Sequence, residues 1–234
     1  MRRLTGIKQV TVGVFLTEAG CMPVMSQADA PPESLLRTQG QIADHFEVKL
    51  LGFDGALAPR GQMGEICVRP IANSEFLGYY KENELSRSFF VHGWILTGDI
   101  GVMDEAGNVQ VLGQKQDVIF PTSDGTKVDA ILPWIIERKL ATHPDLIGVQ
   151  VVGVPGASGK TQTCAIVVLK SAEGHTADHA RVKADLTEMC QQEKLVAPNY
   201  IVFVKDFPRT QTKKVQKFKL REMVLALIKE QSSA

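Results

Sequence analysis

The sequence predicts an α+β fold, with a strand-rich first part followed by a small second part that mixes strands and helices. Short apolar runs, alternating or β-branched and bounded by Gly, Pro or Asp, predict the strands. An apolar stripe at Val182, Leu186, Met189 and Cys190 has helical spacing. No repeat or low-complexity linker interrupts the 234 residues, so we expect any domain boundary to be a short hinge.

The strand predictions cover seven runs and one hairpin. The runs are residues 8–16, 46–51, 64–69, 109–112, 146–154, 163–169 and 200–204. The hairpin joins Ile100–Met103 to Val109–Leu112, and we expect its turn to use Gly107 and Asn108 at positive φ.

Three helices are predicted, all in the second half. The striped helix should begin just after Thr176-Ala177-Asp178, where Asp or Thr can cap the first turn. The other two are expected at about residues 130–142 and 217–230.

Composition excludes several classes of protein. Lys plus Arg and Asp plus Glu number 26 each, so no net charge favours nucleic acid or an anionic membrane as the main partner. The four cysteines form no CxxC pair, which argues against a zinc site or a disulfide framework and fits a reducing cytoplasm. No apolar run reaches the length of a membrane span, and Lys8 and Glu18 interrupt the N-terminal stretch that loosely resembles an export signal.

One segment, Gly156–Thr161, resembles a phosphate-binding P-loop without matching its spacing. The first Gly of that motif would fall on position 154, which is Val. The residues after it, Cys164–Leu169, predict a strand, whereas a P-loop opens a helix. We therefore expect a turn between two strands.

Four segments carry the functional information through their order along the chain. They are Gly64-Glu65-Ile66-Cys67-Val68 with Phe76–Asn83, then Gly93–Gly101, then Val149–Pro155, and last Phe207–Arg221. Taken together they resemble the adenylate-forming superfamily of acyl-CoA synthetases, luciferases and peptide-synthetase adenylation domains. The resemblance spans about residues 64–221 and reaches back faintly to Thr17-Glu18.

The resemblance implies an ATP-dependent acid–thiol ligase of the kind found in fatty acid metabolism. In such a reaction a carboxylic acid, here an acyl substrate, becomes acyl-AMP, and a thiol then displaces AMP. The implied cofactors are ATP, Mg²⁺ and coenzyme A or another thiol acceptor.

Site residues follow from the matched positions. Asp99 would accept hydrogen bonds from both ribose hydroxyls, since an ionised carboxylate has two acceptor oxygens. Thr17 and Glu18 would lie near the phosphates, with Glu18 as a Mg²⁺ ligand. Lys214 matches the catalytic lysine that bridges the acid and the α-phosphate. The competing interpretations are that Asp99 only caps a turn, and that Lys214 belongs to an ordinary solvated basic face.

Several positions depart from the family pattern. Gln114 stands where the family has a nucleotide-contacting Arg, and Lys115 could partly compensate for the lost charge. Gln116 occupies the hinge position and Lys213 replaces a glycine. A lysine expected shortly after Ile119 is absent, although Gly125 would still mark the loop that lines the thiol tunnel.

The resemblance also implies a domain division. Residues 1–113 would be the C-terminal portion of the large AMP-binding domain, including a β-barrel-like subdomain, and residues 114–234 a mobile lid. Nothing before residue 17 can hold the family's phosphate loop. The chain is therefore expected to be either the C-terminal piece of a ligase, partnered by a missing N-terminal part, or a non-catalytic relative or interaction module that keeps the fold.

Overall fold

The computed structural model describes residues 10–35, 37–71, 76–121, 130–156, 160–170 and 178–232, with side chains of the last helix as far as residue 227. The chain divides into two compact units, Met1–Lys115 and Gln116–Ala234. Sheets and helices occur together, which confirms the α+β prediction. Among the described residues, no helix is long and apolar enough to cross a membrane.

The first unit contains two antiparallel sheets. One has the order β1-β2-β3, with β1 at Gly13–Leu16, β2 at Cys21–Met25 and β3 at Gln41–Ile42. The other has the order β4-β5-β7-β6, and β8 also pairs with β7. Its strands are β4 Phe46–Leu51, β5 Met63–Pro70, β6 Phe90–Val91, β7 Trp94–Met103 and β8 Val109–Gln114. The described part of this unit also has two short helices, α1 Pro32–Leu35 and α2 Asn83–Phe89.

The predicted hairpin is β7–β8, and its turn differs from the prediction at one residue. Met103 pairs with Val109, and Gly107 has φ +85° as expected. Asn108 does not adopt positive φ. Its backbone N–H and side-chain amide donate to the two Asp104 carboxylate oxygens, both at 2.8 Å, so the carboxylate rather than a left-handed asparagine closes the turn.

The second unit is a three-stranded sheet covered on both faces. Its order is β11-β10-β9, with β9 at Leu146–Pro155, β10 at Thr161–Leu169 and β11 at Tyr200–Phe203. The helices are α3 Pro133–Leu140, α4 His179–Gln192 and α5 Lys217–Ser232. Alternate residues of β9 and β10 pack against α3 and α4 on one face and against Phe207 and α5 on the other. The central strand is therefore buried continuously.

The striped helix is confirmed as α4. The Asp178 carboxylate accepts hydrogen bonds from the backbone N–H groups of Ala180 and Arg181 at 3.0 and 3.1 Å, which caps the helix. Val182, Leu186 and Cys190 are fully buried. β10 begins at Thr161, the last residue of the P-loop-like segment, so a strand follows the segment and not a helix.

The strand predicted at 8–16 is correct only for Gly13–Leu16. Residues 10–12 are not a strand and residues 8 and 9 lie outside the described residues. The Val12 backbone is bonded to Ser26 instead, through the Val12 N–H to the Ser26 hydroxyl at 3.0 Å and the Ser26 N–H to the Val12 carbonyl at 2.7 Å. An alternating pattern alone therefore extended this strand too far.

Cys21 is the one exposed thiol, and we expect it alone to react quickly with an aromatic disulfide reagent. The other three cysteines are fully buried. Burial raises the pKa of Cys164 to about 12, and burial together with the Glu65 carboxylate raises that of Cys67 to about 11. At pH 8 only about a thousandth of the Cys67 thiol would be the reactive thiolate.

Stopped-flow titration at pH 8 should thus give one fast equivalent per native chain and four after denaturation. Cys21→Ser should remove the fast phase and leave the denatured total at three. A second fast equivalent in the native protein would contradict the burial of the other three thiols.

Candidate functional site

The Thr97-Gly98-Asp99 segment lies on a bulge of β7. Between Cys67 and Glu65, β5 advances two residues while β7 advances four, so this segment leaves the ladder with β5. Gly98 has φ +72°, a conformation that favours glycine. The Thr97 hydroxyl donates to the Ile66 carbonyl at 2.8 Å and accepts from the Asp99 N–H at 3.0 Å. The half-buried Asp99 is therefore held at a defined point of the sheet.

A buried carboxylate, Glu65 of β5, lies beside this bulge. It is only 6% exposed, its Oε1 accepts from the Gly98 N–H at 3.3 Å, and its Oε2 accepts from the Lys115 ammonium at 2.6 Å. Lys115 is thus paired with Glu65, which opposes the idea that its charge replaces the missing arginine at position 114. The motif Gly64-Glu65 was noticed in the sequence, but nothing in it indicated this contact.

Gln114, the last residue of β8, pairs with Asp99 across the β7–β8 ladder. Directly opposed residues of an antiparallel pair point to the same face of the sheet, so their side chains share one face. Gln114 is exposed and carries no charge. The structure brings these two predicted nucleotide-binding positions together within the first unit.

Thr17 and Glu18 form a single 3-10 turn, Thr17–Ala19, between β1 and β2. Gly20 ends it at φ +69°, with its N–H donating to the Thr17 carbonyl at 3.0 Å. Thr17 is exposed, Glu18 is half-buried and Ala19 is buried in the core. Burial of Ala19 anchors the turn and leaves the two polar side chains at the surface.

Tyr79 holds one oxygen of the Glu18 carboxylate. Its hydroxyl donates to Glu18 Oε1, and its ring makes edge contacts with Phe76 and Phe89 at centroid distances of 5.1 and 5.7 Å. Burial and the Glu18 carboxylate raise the pKa of Tyr79 to about 12, so it stays a donor at neutral pH. Sequence reasoning placed Tyr79 in a motif without predicting this role.

The carboxylate of Glu18 fits one part of a Mg²⁺ site. Mg²⁺ is commonly bound through one or two carboxylates together with substrate phosphates. Among the described residues, the Tyr79 contact uses only Oε1 of Glu18 and leaves Oε2 for such a ligand role. Within the described ranges, no three His, Cys, Asp or Glu side chains are grouped as a metal site of their own. A cation here would therefore depend on phosphate oxygens for its other ligands.

Lys214 lies in the second unit on a tight hairpin. Arg209 and Val215 form an isolated bridge, and the Thr210 N–H donates to the Lys214 carbonyl at 2.8 Å. The Lys214 N–H donates to the Thr210 hydroxyl at 3.1 Å. Lys213 has φ +65°, the left-handed conformation that glycine adopts most readily and that is uncommon for lysine. The Lys214 side chain is exposed.

The five cations from Lys213 to Arg221 do not form one basic face. The Lys217 ammonium contacts Glu137 at 2.9 Å and Asp117 at 3.7 Å, and Arg221 contacts Asp117 at 3.1 Å. Both are mostly covered, whereas Lys213, Lys214 and Lys219 are exposed. Two of the five positive charges are therefore neutralised inside the unit.

The predicted site residues are thus divided between the units. Thr17, Glu18, Asp99 and Gln114 lie in the first unit and Lys214 in the second. Gly125 lies outside the described residues. The functional roles of all six stay predictions at this point.

Comparison with known proteins identifies relatives along nearly the whole chain. The family model for the AMP-binding enzyme C-terminal domain matches residues 136–214. A putative acyl-CoA synthetase from Bacillus subtilis (strain 168) is 34% identical over 232 residues, 97% of this chain and 40% of the relative. A mitochondrial medium-chain acyl-CoA ligase from Bos taurus is 31% identical over 93% of this chain and 34% of the relative. The chain therefore spans well under half the length of these relatives.

The fold of this chain is also similar to that of a solved structure. The ATP-bound MatB from Rhodopseudomonas palustris matches 92% of this chain with a TM-score of 0.75 and 29% identity, over 40% of its own length. Both units are thus included in the match.

Proposed function

Because the chain belongs to the adenylate-forming superfamily and matches its C-terminal region, we propose that it forms the C-terminal part of an ATP-dependent acid–thiol ligase. In the first step an acid oxygen bonds to the α-phosphorus of ATP and pyrophosphate leaves. In the second step a thiol sulfur, from coenzyme A or another acceptor, bonds to the acyl carbon, AMP leaves and the thiol proton is released. The observation that carries the proposal is the placement of Asp99 on a bulge facing position 114 of the neighbouring strand.

The proposed role of each side chain follows from its charge and its hydrogen-bonding groups. Asp99 would accept both ribose hydroxyls, and Thr17 would donate to a phosphate oxygen. Glu18, oriented by Tyr79, would bind Mg²⁺, which when present neutralises charge on the phosphates. Lys214 would contact the acid and the α-phosphate, where negative charge is redistributed in the transition state. Gly125 would line the path of the thiol.

We propose that residues 1–113 end the large AMP-binding domain and that residues 114–234 form the mobile lid. Along the chain, the boundary between the compact units falls between Lys115 and Gln116, within a few residues of that division. In this proposal the lid presents Lys214 for adenylation and turns it away for thioester formation. The two half-reactions should therefore respond differently to changes at Lys214.

A second function is favoured by two observations at the nucleotide position. Gln114 cannot supply the permanent charge of an arginine, and the nearby Lys115 is paired with Glu65. These observations favour, as the second candidate function, a non-catalytic protein that keeps the fold and binds the nucleotide or a partner without turning ATP over.

An exchange assay with a chimera separates these functions. This chain would replace the corresponding C-terminal part of the bovine medium-chain ligase, and medium-chain acid-dependent exchange of pyrophosphate into ATP would be measured beside the parent enzyme. We expect exchange above the no-acid background, and Gln114→Arg should increase it at low ATP because a guanidinium restores a charged contact. A folded chimera without exchange, unimproved by Gln114→Arg, would support the non-catalytic function.

A further inference from the structure

The first turn of α5 is fixed by an ion cluster inside the second unit. The Lys217 ammonium lies between the carboxylates of Glu137 and Asp117, at 2.9 and 3.7 Å. All three side chains are between 15% and 18% exposed. Charges so far removed from water interact more strongly than exposed pairs, and each depends on its partner.

Asp117 carries a second contact to the same helix. Arg221, four residues after Lys217 and on the same helical face, donates to Asp117 Oδ1 at 3.1 Å and to the Gln116 carbonyl at 3.4 Å. Lys217 approaches the other oxygen, Oδ2. One carboxylate therefore binds two successive turns of α5.

Glu137 ties this cluster to the sheet. Its Oε1 accepts from Lys217 and also from the Val151 N–H of β9 at 2.7 Å. The start of α5 is thus connected to α3 and β9 through one side chain. Glu137 is therefore bonded to a well-supported strand, since β9 is paired along its length with the buried strand β10.

The chain segment that connects this ion cluster to the Lys214 hairpin is short. Only Val215 and Gln216 lie between Lys214 and the first residue of α5. The Gln216 N–H donates to the Pro208 carbonyl at 2.8 Å, and Val215 bridges to Arg209. A shift of the first turn of α5 would consequently move the base of the hairpin.

We propose that Asp117 is a positioning residue for Lys214, because its carboxylate fixes the start of α5 through Lys217 and Arg221. This inference rests on the proposed adenylating role of Lys214. Asp117 itself would touch no reacting atom. Loss of the Asp117 carboxylate should therefore slow the step that uses Lys214. A mutation far from the chemistry that displaces a catalytic group by about 1 Å can cost about a hundredfold in rate.

The test compares Asp117→Asn with Asp145→Asn. Both substitutions are isosteric and remove a carboxylate, but Asp145 belongs to a more exposed ion pair with Arg181 elsewhere in the unit. In the chimera, Asp117→Asn should lower the adenylation kcat by about ten- to a hundredfold, with little change in the KM for ATP. Thioester formation from preformed acyl-AMP should change less than about twofold. Asp145→Asn should leave both steps near the wild-type rates. Equal losses in both half-reactions, or equal losses from both variants, would overturn the proposal.

Hydrogen exchange on the 234-residue chain distinguishes failure of this inference from failure of the proposed function. In Asp117→Asn and in Lys217→Met, the Gln216 amide should exchange faster, while the Ala165 amide of the central strand keeps its protection. Asp145→Asn should change neither. A folded wild-type chimera without exchange, unimproved by Gln114→Arg, would refute the ligase proposal alone. Unchanged hydrogen exchange at the Gln216 amide would refute the proposal that Asp117 fixes the start of α5, whatever the activity of the chimera.

Discussion

Replacing Lys214 with alanine should lower the rate of acyl-adenylate formation by about a hundredfold or more, the scale observed when one electrostatic stabiliser of a transition state is removed. The Lys214 ammonium is exposed at a hairpin whose backbone is held by Thr210. A charge that acts mainly in the transition state affects kcat more than substrate affinity. The measurement is acid-dependent pyrophosphate exchange by the chimera, with kcat and KM determined separately.

Lys213 provides the matched control for Lys214. Both lysines are exposed neighbours, but Lys213 has φ +65° and stands where the family has a glycine. Lys213→Gly should leave the adenylation rate within about threefold, since a solvated surface charge contributes little. Equal losses from Lys213→Gly and Lys214→Ala would indicate a diffuse basic surface, and the assignment of Lys214 would be withdrawn.

The second half-reaction adds an independent criterion. If the lid turns Lys214 away before thioester formation, Lys214→Ala should spare the reaction of preformed acyl-AMP with the thiol. A comparable loss in both half-reactions would contradict that movement. It would also weaken the inference on Asp117, which assumes the same division between the steps.

The parts of the fold that were predictable have one feature in common, a periodic apolar face that becomes buried. The stripe at Val182, Leu186 and Cys190 identified α4, and the apolar run of β10 identified a strand covered on both faces. Most of the missed elements lack such a face, and β2, also missed, buries the adjacent residues Pro23 and Val24 instead of alternate ones. β3 and β6 are two residues each, α1 has four residues, and α2 buries none of its side chains.

The site shows the same division between local and long-range information. Asp99 and Lys214 were recognised from contiguous motifs. The ion pairs of Glu65 and Glu137 were not predicted, because their partners Lys115 and Lys217 lie 50 and 80 residues away along the chain. Only folding reveals which cations of a basic cluster meet carboxylates, so the sequence did not show that Lys217 is paired with Glu137 while Lys214 is exposed.

Replacing Asp99 with alanine should raise the KM for ATP by at least about a hundredfold, because hydrogen bonds to a charged group contribute about 1.5–3 kcal/mol each and two ribose hydroxyls are involved. Gln114→Ala is the control, since Gln114 faces Asp99 on the same side of the sheet but is neutral. Its effect should stay within about tenfold, the scale of one neutral hydrogen bond. Both variants should be compared with the wild-type chimera in the exchange assay.

Deoxynucleotides show whether the Asp99 effect acts through the ribose. The wild-type chimera should use ATP better than 2′-deoxy-ATP or 3′-deoxy-ATP, because each analogue removes one donor to the carboxylate and leaves an acceptor unpaired. In Asp99→Ala that preference should fall to within about twofold, whereas Gln114→Ala should retain it, since the carboxylate is still present. If Asp99→Ala weakens ATP use but keeps the full preference for ribose hydroxyls, the carboxylate acts by holding the bulge and not by binding the sugar. The interpretation of Asp99 as a turn-stabilising residue would then replace its assignment to the nucleotide.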